Sequence, residues 1–228
     1  MRFWLLILFS LTLDASEIGE ISELSGNGEI NRGDSEVKLN AEIDSDIFSF
    51  DDVRTGNGRL AIQFLDDSVV KLTEHSKLVI DEFIYDPDPA KSKLALNMAS
   101  GTARFITGKL GLINKENISI KTPTASIGIR GTDFTATVDE LGRSLIILLP
   151  NADGTSSGEI TVTTAMGVEI LNEAFQATMV SAWEQEPTPA VTLGGMTLGM
   201  IDNMLIIQKP PEVVQAIEEQ ELGVSPTA

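Results

Sequence analysis

The chain has 228 residues, contains no cysteine, and carries a formal net charge of -18. Without cysteine it can be neither a lipoprotein attached through an N-terminal cysteine nor a disulfide-stapled domain, so its stability must come from packing. The acidity disfavours binding to nucleic acid and to anionic membrane surfaces. We interpret the acidic excess as a solvated surface, and a surface that meets divalent cations or a basic partner is the alternative.

The N-terminus, residues 1–15, has the pattern of a signal peptide. Arg2 precedes an apolar run over residues 3–13 that is too short to cross a bilayer comfortably. We expect cleavage near Ala15 or Ser16, and an uncleaved anchor or a buried strand is the alternative. No later stretch is apolar enough to span a membrane. The pattern therefore predicts an exported protein, periplasmic or extracellular, without stable membrane insertion.

Alternation of apolar and polar residues dominates from residue 17 to about residue 183. The apolar positions of these segments are Leu60, Ile62, Phe64, Val70, Leu72, Leu78, Ile80, Leu94, Leu96, Met98, Ala103, Phe105, Ile118 and Ile120. Many short strands separated by turn residues predict an all-β domain over residues 17–183, either a sandwich or a solenoid-like coil.

The most informative segment is residues 122–138, where two alternating apolar runs flank an Arg-Gly-Thr sequence at Arg130, Gly131 and Thr132. A glycine can take a positive φ that other residues resist, so Gly131 is predicted to be a sharp corner between two half-buried strands. We interpret Arg130 as a charge that pins this corner beside Asp133, and a ligand clamp is the alternative.

This segment resembles the FecR domain family, whose pattern is Thr-Pro, a short apolar strand, Arg-Gly-Thr, one residue and Phe. Thr122, Pro123 and Phe134 complete the match, and weaker motifs in the same order extend the resemblance over roughly residues 18–150. The family usually has Gly where this chain has Asp67, which also tolerates a left-handed turn.

The resemblance implies a non-enzymatic β domain that binds a protein partner. Well-understood members pass a signal from an outer-membrane receptor to a cytoplasmic sigma factor through a cytoplasmic segment and a transmembrane helix, neither of which follows the signal peptide here. We therefore expect an interaction or scaffold module at the cell envelope. A regulatory component of envelope signalling, of sensor or anti-sigma type, is the alternative, and a polysaccharide-binding or calcium-binding surface protein has less support.

Beyond the motif, residues 145–149 are all apolar and predict a strand buried on both faces. Residues 151–159, with Asn151, Asp153 and Glu159, partly resemble a calcium loop, but a long hairpin connection with an Asp-Gly turn is favoured. Three further strands are predicted over residues 158–164, 168–171 and 176–183.

Composition changes after Trp183, and residues 184–228 are predicted to be a linker followed by a short helical tail. We expect the tail to dock on the β domain or on a neighbouring protein. The residues expected to dock are Leu198, Ile201, Leu205, Val214 and Ile217.

Catalytic chemistry has little support in the sequence. The single histidine, His75, is predicted to lie in an exposed turn, and the carboxylate pairs of Asp66 with Asp67 and of Asp86 with Asp88 are expected by chance in so acidic a chain. We therefore predict no catalytic, cofactor-binding or metal-binding residue, and no cofactor.

Overall fold

The computed structural model of the protein describes residues 16–33, 37–86, 88, 91–109 and 117–198. Every regular element with defined bounds among these residues is a β-strand, and the strands form two sheets that share one long strand. The prediction of an all-β domain is confirmed. The predicted signal peptide and residues 199–228 of the predicted tail lie outside the described residues.

Sheet A contains nine strands in the order β4, β1, β6, β7, β9, β12, β13, β16, β17. Their bounds are β1 (Glu17–Ser25), β4 (Asp46–Phe48), β6 (Arg59–Phe64), β7 (Val69–Leu72), β9 (Lys93–Ile106), β12 (Asp133–Val138), β13 (Ser144–Leu148), β16 (Gln176–Val180) and β17 (Val191–Thr192).

Sheet B contains β9 and eight further strands in the order β3, β2, β5, β8, β9, β10, β11, β14, β15. Their bounds are β2 (Gly28–Arg32), β3 (Lys38–Asn40), β5 (Asp51–Thr55), β8 (Lys77–Ile84), β10 (Ile118–Lys121), β11 (Ser126–Arg130), β14 (Glu159–Thr163) and β15 (Val168–Leu171). Among the described pairings, all are antiparallel except that of β9 with β10.

The hydrophobic core lies between the two sheets, because one face of each sheet is apolar. The alternating apolar residues predicted from the sequence are all buried, including Phe64, which stacks on Phe83, and Phe134, which stacks on Phe105 at 4.9 Å between ring centroids. Period-two alternation places these side chains on one face of each strand.

The chain repeatedly crosses from one sheet to the other, and residues with a left-handed backbone mark all but one of the described crossings. These residues are Gly26, Asp44, Phe50, His75, Gly101, Gly131, Gly154 and Phe175. The exception is the crossing from β5 to β6. A positive φ redirects the chain within one or two residues, which favours glycine and is unusual for phenylalanine.

Gly101 marks the point where β9 leaves sheet B and enters sheet A. Its φ is +85°, and a Cβ atom there would lie 2.3 Å from the Ser76 hydroxyl oxygen. That hydroxyl accepts a hydrogen bond from Thr102 N–H at 3.0 Å and lies 3.1 Å from the Thr102 carbonyl oxygen, to which it donates. The bend of β9 therefore requires a residue without a side chain.

The prediction that residues 145–149 are buried on both faces is wrong. Ile146 and Leu148 point into the core, whereas Leu145 lies on the outer face of sheet A and is 38% exposed. Only the inner face of sheet A is covered by sheet B, so β13 is buried on both faces only where another segment crosses the outer side.

Such a segment follows β16. β17 pairs with β16 within the range predicted as linker and tail, and Thr188 N–H donates to the Met179 carbonyl oxygen at 2.9 Å. Beyond β17, Met196 and Leu198 pack against a small apolar cluster centred on Leu149. The division of the chain at Trp183 stays a prediction, but pairing within sheet A extends beyond that residue.

Candidate functional site at the Arg-Gly-Thr corner

The predicted corner joins β11 in sheet B to β12 in sheet A. Gly131 has a φ of +55°, as the sequence predicted. The residue before it, Arg130, ends β11, and Asp133 begins β12 two residues after it. The Arg-Gly-Thr sequence therefore redirects the chain from one layer of the fold to the other.

Thr107, which follows β9 directly, holds the corner through hydrogen bonds to Thr132. Its backbone N–H and its hydroxyl both donate to the Thr132 carbonyl oxygen, at 3.1 and 2.5 Å. In return the Thr132 N–H donates to the Thr107 hydroxyl at 3.2 Å. A buried turn requires hydrogen-bond partners for its backbone N–H and carbonyl groups, and here Thr107 alone supplies both the donors and the acceptor.

Ser157 holds the other side of the corner. The Asp133 N–H donates to the Ser157 hydroxyl oxygen at 3.0 Å, and the hydroxyl lies 2.6 Å from the Leu149 carbonyl oxygen, to which it donates. Because Ser157 belongs to the connection between β13 and β14, the corner is linked to a segment that comes later in the chain.

The charge pair at the corner differs from the one expected. Asp133 accepts two hydrogen bonds from Arg104 of β9, at 2.9 Å from Nε and 2.6 Å from an Nη atom, and the two side chains are only 12% and 18% exposed. Arg130 is exposed and forms no ion pair with the described residues. The interpretation of Arg130 as the partner of Asp133 is therefore wrong, because register places Arg104 nearer.

Beside this corner lies an open cleft of about 420 Å³, which we call the corner cleft. Arg104, Asp133, Thr107 and Thr132 form its polar side. Its apolar residues are Ile106, Pro150, Ala152 and Leu198. The charged groups already satisfy each other, so the cleft offers backbone and hydroxyl groups with apolar contacts, which suits a peptide segment better than a small charged ligand.

The part of the chain that carries this corner matches a known family. Residues 51–150 match the family described as FecR protein. They form a FecR domain. The resemblance read from the sequence is confirmed for these residues, and its extension upstream to residue 18 stays a prediction.

Two crystal structures, at 2.50 and 1.65 Å resolution, are similar in fold to this chain. Both are of a protein from Parabacteroides distasonis described as a "putative anti-sigma factor", with a TM-score of 0.47, 14% sequence identity, and coverage of 76% of this chain and 92% of that chain. A likeness at this level says nothing about function. Among curated proteins, none matches the chain.

The FecR domain contains most of the corner cleft but not all of it. Arg104 to Pro150 lie inside the domain, whereas Asn151, Ala152, Ser157 and Leu198 come after it. The later strands and the segment after β17 therefore complete a site that the FecR domain begins.

The residues weighed as candidates for catalysis or metal binding have ordinary structural roles. His75 is exposed in the turn between β7 and β8, as predicted. Asp66 is buried and accepts hydrogen bonds from the Ser68 N–H and hydroxyl, and Asp67 has the predicted left-handed backbone with a φ of +67°. Among the described residues no group of three or more histidine, cysteine or acidic side chains could hold a metal ion.

The loop over residues 151–159 joins β13 of sheet A to β14 of sheet B, so the two flanking strands do not pair with each other. Locally it folds back as a hairpin around the predicted Asp-Gly turn, with an antiparallel bridge between Pro150 and Ser156. It contains a tight turn in which the Gly154 N–H donates to the Asn151 carbonyl oxygen at 2.9 Å. The hydroxyl and N–H of Thr155 both donate to Asp153, and the hydroxyl bond above all lowers the pKa of this carboxyl group. The loop thus connects the sheets and supplies Ser157 to the corner.

A second surface feature, which the sequence did not reveal, is the corner between β4 and β5. Phe50 there has a φ of +71° and is 64% exposed. Its neighbour Asp51 is fully buried, accepts the Phe48 N–H at 2.9 Å and lies 3.4 Å from Arg32 Nε. Burial raises the pKa of Asp51. Alternation after Phe48 would place Phe50 on the same face, and only the tertiary structure shows its exposure.

Within the described residues, no helix is long and apolar enough to cross a membrane.

Proposed function

We propose that this protein is a non-enzymatic, exported regulatory component of envelope signalling that acts by binding a protein partner. The observation that carries the proposal is the FecR domain over residues 51–150. Well-understood members of the family that this domain resembles pass a signal from an outer-membrane receptor to a cytoplasmic sigma factor.

The surroundings of His75 and Asp133 favour a binding role over a catalytic one. A general base must reach the proton that it removes, and it is normally tuned by its neighbours. His75 stands alone in an exposed turn, and Asp133 is held by Arg104. These groups contribute to the structure without forming a constellation suited to acid-base or nucleophilic chemistry.

Phe50 is our candidate contact for the partner. A phenylalanine whose backbone has a positive φ stores about 1 to 3 kcal/mol of strain, and such a conformation persists only where the surrounding structure enforces it. Here the Phe50 N–H donates to the Ile80 carbonyl oxygen at 2.7 Å, which fixes the backbone while the ring points away from the core. Exposed, rigidly held aromatics are common anchors in protein interfaces.

The proposal can be tested by site-specific photocrosslinking in the envelope of the source cell. A photoreactive phenylalanine analogue replaces Phe50 in one variant and Leu141 in a matched control. Leu141 is 77% exposed in the turn between β12 and β13. We expect one discrete crosslinked protein from position 50 and none from position 141.

Crosslinking of the same proteins from both positions, or of none from position 50, would contradict Phe50 as the contact. Export is tested separately by N-terminal sequencing of the protein from the cell. We expect a first residue near Ser16, because residues 1–15 have the signal peptide pattern. Recovery of the intact chain with Met1 from the cytosol would refute an envelope role altogether.

A further inference from the structure

We propose that β15, an edge strand of sheet B, binds an extended segment of another protein as an added antiparallel strand. In the segment that fits this edge, β-branched apolar residues alternate with lysine or arginine. The corner that carries Phe50 precedes β5, toward the other end of sheet B, and the inference does not depend on the proposed role in signalling.

Hydrogen bonding leaves one side of β15 open. Within the described part of the chain β15 pairs only with β14. Where the two strands meet, the Thr164 N–H donates to the Gly167 carbonyl oxygen at 2.9 Å, so these residues form a hydrogen-bonded pair. Bonded and non-bonded pairs alternate along an antiparallel ladder, so Glu169 bonds to β14 through its backbone. The N–H and carbonyl groups of Val168 and Ile170 therefore point away from β14.

The side chains of Val168 and Ile170 are exposed as well, at 56% and 49%. They lie on the outer face of sheet B, because Glu169 between them points to the other face, where it accepts a hydrogen bond from the Ala190 N–H at 2.8 Å. The chain that enters β17 thus covers the inner face of β15. An added strand would gain both backbone hydrogen bonds and cross-strand contacts with two apolar side chains.

The other edges of the two described sheets are better protected than β15. Folded proteins block their sheet edges with lysine, with proline or by keeping the edge strand very short. β3 contains Lys38, β4 has three residues and begins at Asp46, and β17 has two residues and follows Pro187 and Pro189. In contrast, β15 has four residues, without lysine or proline, and its ladder with β14 has no bulge.

The charge around β15 selects a basic partner. Between Arg143 and Lys209 the sequence contains no basic residue. Glu169 lies on the strand itself, and Glu186 Cγ is 3.1 Å from the position that a Cβ on Gly167 would take, directly before the strand. A second copy would bring the same acidic edge and a net charge of -18, so repulsion disfavours it as the occupant. Lysine or arginine on the face shared with Glu169 would be attracted instead.

Binding of a short synthetic peptide to the purified full-length protein tests the inference. The fluorescently labelled peptide alternates valine with lysine, and its binding is followed by anisotropy. We expect saturable binding that weakens as the salt concentration rises, because salt screens the attraction between exposed charges. A peptide with glutamate in place of each lysine should not bind.

Ile170→Pro tests the edge itself. It removes an N–H that β14 does not use, so β15 should still form, as far-UV circular dichroism would check, while an added strand loses one hydrogen bond and meets the proline ring. We expect the peptide to bind about tenfold more weakly.

The matched control is Asn40→Pro on β3, the opposite edge strand of sheet B. The Arg32 N–H donates to the Val37 carbonyl oxygen at 3.2 Å, so by the same alternation the Asn40 N–H also points away from the neighbouring strand β2. This variant should bind the peptide as the unaltered protein does.

Methylation of the peptide backbone provides a test that leaves the protein unaltered. Valines that lie beside Val168 and Ile170 in an antiparallel strand direct their N–H groups at β15, whereas the lysine N–H groups point away. Methylation of the valine nitrogens should therefore abolish binding, and methylation of the lysine nitrogens should preserve it.

Four results would overturn the inference. They are failure of the valine-lysine peptide to bind, unchanged binding to a folded Ile170→Pro variant, equal losses in the Asn40→Pro control, and equal effects of the two methylated peptides. A dimer of the unaltered protein that Ile170→Pro dissociates, measured by analytical ultracentrifugation, would also overturn it, since a second copy would then occupy the edge.

Discussion

Replacement of Gly101 by alanine should be among the most destabilising single changes in this protein. A left-handed backbone costs a residue with a side chain about 1 to 2 kcal/mol. The new Cβ would also lie 2.3 Å from the Ser76 hydroxyl oxygen and 2.5 Å from its Cα, so the backbone of one strand must move. That movement weakens the two hydrogen bonds between Ser76 and Thr102, each of which contributes about 1 kcal/mol.

The sum is about 3 to 4 kcal/mol, a large fraction of the roughly 5 to 15 kcal/mol that stabilises a typical domain. Gly154→Ala is the matched control. Gly154 has a φ of +83°, almost the same as Gly101, but nothing lies within 4 Å of the site of its Cβ. Its replacement should therefore cost only the backbone strain, about 1 to 2 kcal/mol.

The free energy of unfolding of both variants is measured by urea denaturation followed by far-UV circular dichroism. For a domain of this size the excess cost at Gly101, about 2 kcal/mol, corresponds to a Tm about 4 to 8 °C below that of the control variant. If Gly101→Ala is no less stable than Gly154→Ala, β9 does not bend against Ser76 as the structure shows, and the reasoning fails.

Three further predictions follow from the corner and from the buried charges. Gly131→Val should lower the free energy of unfolding by about 1 to 3 kcal/mol, because Gly131 has a positive φ. Gly128→Val is the control and should cost less, because Gly128 has an ordinary φ and the nearest atoms to its added Cβ lie at 3.9 Å. Equal losses in the two variants would contradict the left-handed corner at Gly131. Since burial raises the pKa of Asp51 above 3.8, the folded state holds this proton more tightly than the unfolded chain, so the stabilisation due to Asp51 is complete below pH 3.8 and is lost as pH rises through the raised value. Asp51→Asn should remove this pH-dependent loss of stability, because asparagine does not ionise. Urea titrations at pH values from below 3.8 to above the raised pKa should show the variant gaining stability relative to the unaltered protein as pH increases. A stability difference that stays constant with pH would refute the raised pKa of Asp51. Arg104→Ala should cost about 1 to 3 kcal/mol by leaving the carboxylate of Asp133 without its main partner, and a double-mutant cycle with Asp133→Ala should give a clear coupling energy, which additive losses would exclude.

Much of the fold could be predicted because its information is local. Leu60, Ile62 and Phe64 lie on one face of a strand because successive side chains of a strand point to opposite sides. Gly131 and Asp67 could be identified as left-handed positions because few other residues adopt that backbone at low cost. Each of these statements needs only a few neighbouring residues.

The candidate site was only partly predictable. The sequence located the corner but chose Arg130 as the partner of Asp133, since that arginine is nearest in the chain. In the structure Arg104, 29 residues away, is the partner, because β9 and β12 are adjacent and antiparallel in sheet A. Register between strands depends on the whole sheet, which local patterns do not fix.

Leu145 and Phe50 show that local sequence patterns also do not determine which apolar side chains are exposed. Leu145 was expected to be buried, and nothing in the sequence pattern singled out Phe50, yet both side chains are exposed. The sequence by itself determined most of the strands, the left-handed positions of Gly131 and Asp67 and the family of residues 51–150, because backbone preference and alternation act over a few residues. Only the tertiary structure decided which faces are covered, which charges pair and where the corner cleft opens, because those depend on contacts between segments that are far apart in the chain.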